Sequence, residues 1–143
     1  MTAAPMSPAP VRPRAGAMSW LLLVLGAGGF AAVWILLALA TNRQCSWMAV
    51  VGALDIAWML RLGQWPRGRG RLAIGVLATA LVVVAANWFI TAAQLGGMLG
   101  YDPLMSALRL GPNLAWTLAQ LVNSAADLAW IALALLVALF TTR

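Results

Sequence analysis

The sequence predicts an all-α membrane protein: a bundle of four transmembrane helices with a short interfacial helix between the third and fourth. Three observations predict it. Hydrophobic residues make up 64% of the 143-residue chain and charged residues 8%, too few charges to cover the surface of a soluble domain of this size. Residues 15–42 and 72–101 hold no charged side chain, and each run exceeds the roughly 20 residues that cross ~30 Å of hydrocarbon. The arginines gather at the ends of apolar runs, where topology-setting charges belong.

The elements follow in order. Residues 1–17 carry Pro5, Pro8, Pro10 and Pro13 among Ala and Ser, which forbids a helix and predicts a disordered cytoplasmic tail ahead of a single transmembrane domain, 18–143. The first helix is expected at 20–40. Ala38-Leu39-Ala40 resembles a signal-peptide cleavage site, but the apolar run is longer than the usual h-region, so a retained span is expected. Gly26, Gly28, Gly29, Ala31 and Ala32 predict a small-residue face that lets another helix approach closely. Thr41-Asn42-Arg43-Gln44 reads as a short polar turn between antiparallel neighbours.

The second helix is expected at 46–62, with Ser46 as N-cap and Arg61 reaching toward headgroups. A basic loop with Pro66 and three glycines leads to the third helix at 72–95, stopped by Gly96, Gly97 and Gly100. Asp102, Pro103 and Gly111 bracket a two-turn helix at 103–110, too short to span and expected at the interface. The fourth helix is expected at 113–141. On it, Trp116, Gln120, Asn123, Asp127 and Trp130 recur at spacings of four and three and so share one stripe.

Charge sets the threading. With both termini cytoplasmic, Arg12, Arg14, Arg61, Arg67, Arg69, Arg71 and Arg143 lie inside and only Arg43 and Arg109 lie outside; the reverse threading inverts the ratio. A multi-pass protein of the bacterial inner membrane is expected on this ground. Arg61, Arg67, Arg69 and Arg71 form a cytoplasmic cluster that meets lipid headgroups and fixes topology, each attracting anionic lipid by roughly 1 kcal/mol.

An internal echo suggests a parallel hairpin repeat. Asp55-Ile56-Ala57-Trp58 matches Asp127-Leu128-Ala129-Trp130, and Ala31-Ala32-Val33-Trp34 resembles Ala85-Ala86-Asn87-Trp88. It predicts Asp55 and Asp127 at similar depth on helices of like direction. An aspartate inside a span costs about 3 kcal/mol against lipid, so both acids should face protein. Asn87, Gln120 and Asn123 complete the expected intramembrane polar cluster. Trp34, Trp58, Trp88 and Trp130 are expected deep enough to line an apolar pocket, while Trp20, Trp47, Trp65 and Trp116 fall at helix ends.

Composition excludes much chemistry. The chain has no Lys, Glu or His, so His-ligated metal, haem and His general bases are ruled out, and Cys45 stands alone, without a partner for a disulfide or a zinc cluster. No cofactor and no metal is expected. Ser46, Ser106 and Ser124 have no His or Lys to activate them. The Gly-x-Gly-Asp pattern of intramembrane aspartyl proteases is missing at both Asp55 and Asp127. The net charge of +6 is explained by topology, so the lipid bilayer rather than nucleic acid is the expected surface. A non-enzymatic protein is expected, one that works by helix packing as an accessory subunit of a larger membrane complex or as a homo-oligomer. The alternative is a small proton- or cation-linked transporter or channel using Asp55 and Asp127.

Overall fold

The computed structural model describes residues 16–109 and 111–143; most of the predicted tail, with Arg12 and Arg14, and Leu110, expected to end the short helix, lie outside them. Among the described residues all regular structure is helical: α1 (Ala17–Thr41), α2 (Met48–Leu62), α3 (Arg69–Leu99), α4 (Pro103–Arg109), α5 (Pro112–Val122) and α6 (Ala125–Thr141).

α2 and α3 form the centre. Each packs on the other and on both α1 and α6, which flank them without touching one another. α4 and α5 rest on α3 alone. The shared core is aliphatic and small: Trp34 and Ala38 from α1, Ala53, Ile56 and Leu60 from α2, Val83, Ala86 and Ile90 from α3, and Ala134 and Ala138 from α6 are buried. Small residues set the spacing, since a Cβ at Gly26 would collide with Met59, at Gly52 with Phe30 and at Gly75 with Thr142. The predicted small-residue face of α1 is therefore divided. Gly26 meets α2, whereas Gly28 and Gly29 face open space.

Among the described residues two helices, α1 and α3, are long and apolar enough to cross a membrane. Only 17% of an 18-residue apolar window of α1 and 33% of one of α3 is buried, so both helices leave most of their apolar surface uncovered. α2, with 15 residues, and α6, with 17, are apolar but shorter. Leu25 and Val33 of α1, Leu54 and Trp58 of α2, Leu77 and Leu81 of α3, and Leu133 and Leu136 of α6 all stand exposed.

Helix boundaries differ from the sequence expectation in α1, α2 and α3; α1 starts three residues early, at Ala17, the last residue of the predicted tail. α2 starts after Trp47, and Ser46 is not its cap; the Ser46 hydroxyl is used elsewhere. α3 begins three residues early and runs on through Gly96 and Gly97 to Gly100, where a left-handed φ of 72° ends it. Gly96 is there for close approach, because a Cβ would strike the Ser106 side chain of α4. At 31 residues α3 is about 46 Å long, so its last turns extend past the bundle and carry α4 and α5.

The largest correction concerns the predicted fourth helix. It is broken at Asn123–Ser124 into α5 and α6. Ser124 has extended backbone and caps α6: its side chain accepts from the Asp127 N–H, and the Asp127 carboxylate accepts from the Ser124 N–H, a reciprocal capping box. A capped start is more favourable here than continuing the helix through Asn123 and Ser124, which are both weak helix formers. The stripe from Trp116 to Trp130 therefore does not exist as one helical face.

Candidate functional site

The hydrophilic groups collect at one end of the bundle, around the turn joining α1 to α2. Asn42 and Cys45 both take left-handed φ angles, 51° and 48°, and turn the chain back within six residues. The fully buried Trp34 donates its indole N–H to the Gln44 carbonyl at 3.1 Å and pins the turn from below. The Gln44 side-chain amide donates to the Asn87 carbonyl oxygen on α3, and Asn87 in turn donates to the Val83 carbonyl at 2.9 Å. Ser46 donates to Asp127 at 2.6 Å, which ties the same turn to α6. Ser124 supplies the remaining donors to Asp127, from its N–H at 2.9 Å and its hydroxyl at 2.6 Å. All three contacts offer hydrogen to the carboxylate, the arrangement an acceptor-only, ionised Asp satisfies.

Beside this network an open cleft of about 690 Å³ lies between the turn and the start of α6. Arg43, Gln44, Ser46 and Asp127 give it a polar wall, and Trp47 and Trp130 an aromatic one. Gln44 Oε1 is buried without a hydrogen-bond partner. A second, smaller pocket of about 320 Å³ sits further out, between the end of α3, α4 and Leu114, with Asp102, Ser106 and Arg109 on its rim.

The arginines mark the opposite end. Arg61 closes α2, Arg67 and Arg69 lead into α3, and Arg71 stands in its first turn. Ser19 donates to the Gly63 carbonyl at 2.7 Å, and the Trp20 and Trp65 rings meet edge to face at 4.9 Å, so α1 is anchored there too. Sixteen residues of α3 separate Arg71 from Asn87, about 24 Å of helix. Between these two levels the outward surface is apolar, and Asp55 is the charged residue within it.

The predicted polar cluster is therefore only partly assembled. Asn87 and Asp127 are both tied to the 44–46 segment. Gln120 is exposed on α5, and Asn123 lies in the break before α6. Asp55 does not join them. Ser46 marks the level of Asp127, and Asp55 is nine residues further along α2, about 13 Å deeper. It is half-buried, and its Oδ2 is covered without a hydrogen-bond partner. The echo predicted equal depth. Asp127 instead occupies the third position of α6, whereas Asp55 is the eighth residue of α2.

The predicted aromatic lining is also dispersed. Trp34 is core, Trp130 flanks the cleft, and Trp58 is largely exposed on the apolar surface. Trp88 donates to the Ala107 carbonyl at 3.2 Å and packs in the separate cluster that joins α3 to α4 and α5.

Sequence reasoning passed over Gln44, Ser46 and Ser124 as network members. A signal for one was present: Ser124-Ala125-Ala126-Asp127 has the spacing of a capping box ahead of an apolar run. Comparison with known proteins gives no match: no family model, no curated protein and no solved structure is similar to this chain.

Proposed function

We propose that this chain is a small, non-enzymatic integral membrane protein with α1, α2, α3 and α6 as its four spans, working by helix packing, and that the exposed side of α1 is the face through which it associates with a second copy or a larger membrane complex. The apolar belt between the polar turn and the arginine end supports four spans: at about 24 Å it is close to the hydrocarbon thickness of a bilayer. The arginine distribution favours a bacterial inner membrane with both termini in the cytoplasm and the polar turn outside.

The observation that carries the packing role is on α1. Gly28 and Ala32 are four residues apart, both exposed, with Gly29 beside them and open space over both glycines. That is the small-x-x-x-small pattern that lets two helix backbones approach in lipid, where close packing replaces the hydrophobic effect as the driving force. Gly28→Leu fills this groove without touching the chain's own core. In cross-linking of the intact membrane, the substitution should abolish the oligomer or complex while the monomer stays folded. Unchanged cross-linking in G28L and in G29L would remove this reading.

A second reading, a proton- or cation-linked transporter, now rests on Asp55 alone. It is the acid within the apolar belt, with one oxygen unsatisfied, and intramembrane acids of this kind often mark ion pathways. Asp55→Asn keeps the size and cannot titrate. Loss of a proton flux across proteoliposomes containing the wild-type chain would favour transport; no wild-type flux would dismiss it.

A further inference from the structure

The start of α3 brings together Arg67, Gly68, Arg69, Gly70 and Arg71, and the last turn of α2 adds Arg61. Arg71 is the unusual member. It is only 6% exposed, its Nε has no hydrogen-bond partner, and no ion pair among the described residues reaches it. The charges it feels most are those of Arg61 and Arg67, which repel it. Asp102 and Asp127 belong to the far end of the bundle, and Asp55 is six residues along α2 from Arg61, about 9 Å of helix.

The C-terminal end of α6 brings partial negative charge to this end of the fold. Thr142 packs on Gly75, one turn along α3 from Arg71, but Thr142 donates its hydroxyl to Ala138, and no α6 carbonyl accepts from Arg71. A guanidinium with a covered, unpaired Nε and only like charges acting on it is unfavourable unless an anion completes it.

The backbone beside it is equally incomplete. α3 has no side-chain cap and no acidic residue in its first turn. Gly68 takes φ 154° and ψ −176°, a conformation essentially confined to glycine, and none of the described residues lies within 4 Å of a Cβ position at Gly68 or Gly70. The free N–H groups and the positive end of the helix dipole therefore open onto uncovered space among three arginines.

We propose that Arg71, Arg67, Arg61 and the uncapped first turn of α3 form a binding site for a phosphate-bearing anion. Guanidinium groups and helix N–H donors are the pair of features that recognise phosphate oxygens. Two sources present this chemistry at a membrane surface, the headgroup of an anionic phospholipid and a soluble phosphate compound. The inference is independent of the association face on α1.

The test uses the full chain in neutral maltoside micelles. Phosphatidylglycerol or phosphatidylcholine is titrated in, and retained lipid is counted by native mass spectrometry. Phosphatidylglycerol should bind about tenfold or more tightly than phosphatidylcholine. Arg67 is exposed, so R67Q should leave the fold intact and weaken phosphatidylglycerol by roughly fivefold. R71Q should weaken it further, and R43Q, at the opposite end, should change nothing. Competition with inorganic phosphate identifies the source: displacement of the lipid points to a soluble phosphate compound, and unmoved lipid to a headgroup. Equal retention of the two lipids by the wild type, or wild-type retention in both R67Q and R71Q, would overturn the site.

Discussion

The Ser46 hydroxyl donates to the Asp127 carboxylate at 2.6 Å, linking the entry of α2 to the first turn of α6 across 81 residues of sequence. The contact matters because Asp127 already closes the capping box of α6 with Ser124. One carboxylate therefore starts a helix and fixes that helix against its parallel neighbour. The network has the character of a staple at the rim of the bundle, with its hydrophilic atoms gathered at one level and the apolar belt below.

Ser46→Ala should destabilise the bundle by about 1 kcal/mol, between the ~0.6 kcal/mol average for hydrogen bonds in membrane bundles and the larger value for bonds to a charged group. Ser124→Ala removes a cap as well as a bond to Asp127 and should cost more, about 1–2 kcal/mol. Reversible unfolding in mixed micelles with increasing dodecyl sulfate measures both. A smaller effect for S124A than for S46A would contradict the capping role.

The glycines should separate into two classes. Gly75→Leu drives a side chain into Thr142, pushes α6 from α3 and should cost roughly 1–3 kcal/mol in the same unfolding measurement. Gly28→Leu meets open space and should leave monomer stability within about 0.5 kcal/mol. Equal loss in both would mean that the α1 face is already covered.

Trp34→Phe should loosen the polar turn. The indole is fully buried and its N–H is the partner of the Gln44 carbonyl, so the substitution leaves an acceptor unpaired and a partial void. A loss of about 1–3 kcal/mol is expected, together with faster hydrogen exchange across residues 42–46. Trp58→Phe, on the exposed surface, should change neither.

The helical class and the long apolar segments were legible because composition and uninterrupted apolar length report the solvent a helix must face. The turn after Thr41 was legible from its polar run. The break in the last helix was not seen, because Leu, Ala and Val continue on both sides of Asn123–Ser124 and apolar content masks a local cap. The Ser-x-x-Asp spacing carried that information. The supposed meeting of Asp55 with Asp127 failed for the same reason. A repeat in sequence fixes neither where a helix begins nor how two helices are staggered, and a nine-residue offset put the acids on different levels. Gln44 and Ser46 could not be recognised as network members, since their partners are more than 40 residues away and set by packing.

The two-sided placement of the polar turn and the arginine end around an apolar belt is the claim from which the rest follows, and cysteine labelling tests it most directly. In a Cys45→Ser background, single cysteines are placed at Arg43, Leu81 and Pro66, and intact spheroplasts and opened membranes are treated with a membrane-impermeant maleimide. The account predicts that R43C reacts in intact spheroplasts, P66C only after opening, and L81C in neither. Reaction of L81C in intact spheroplasts, or of R43C and P66C from the same side, would contradict it.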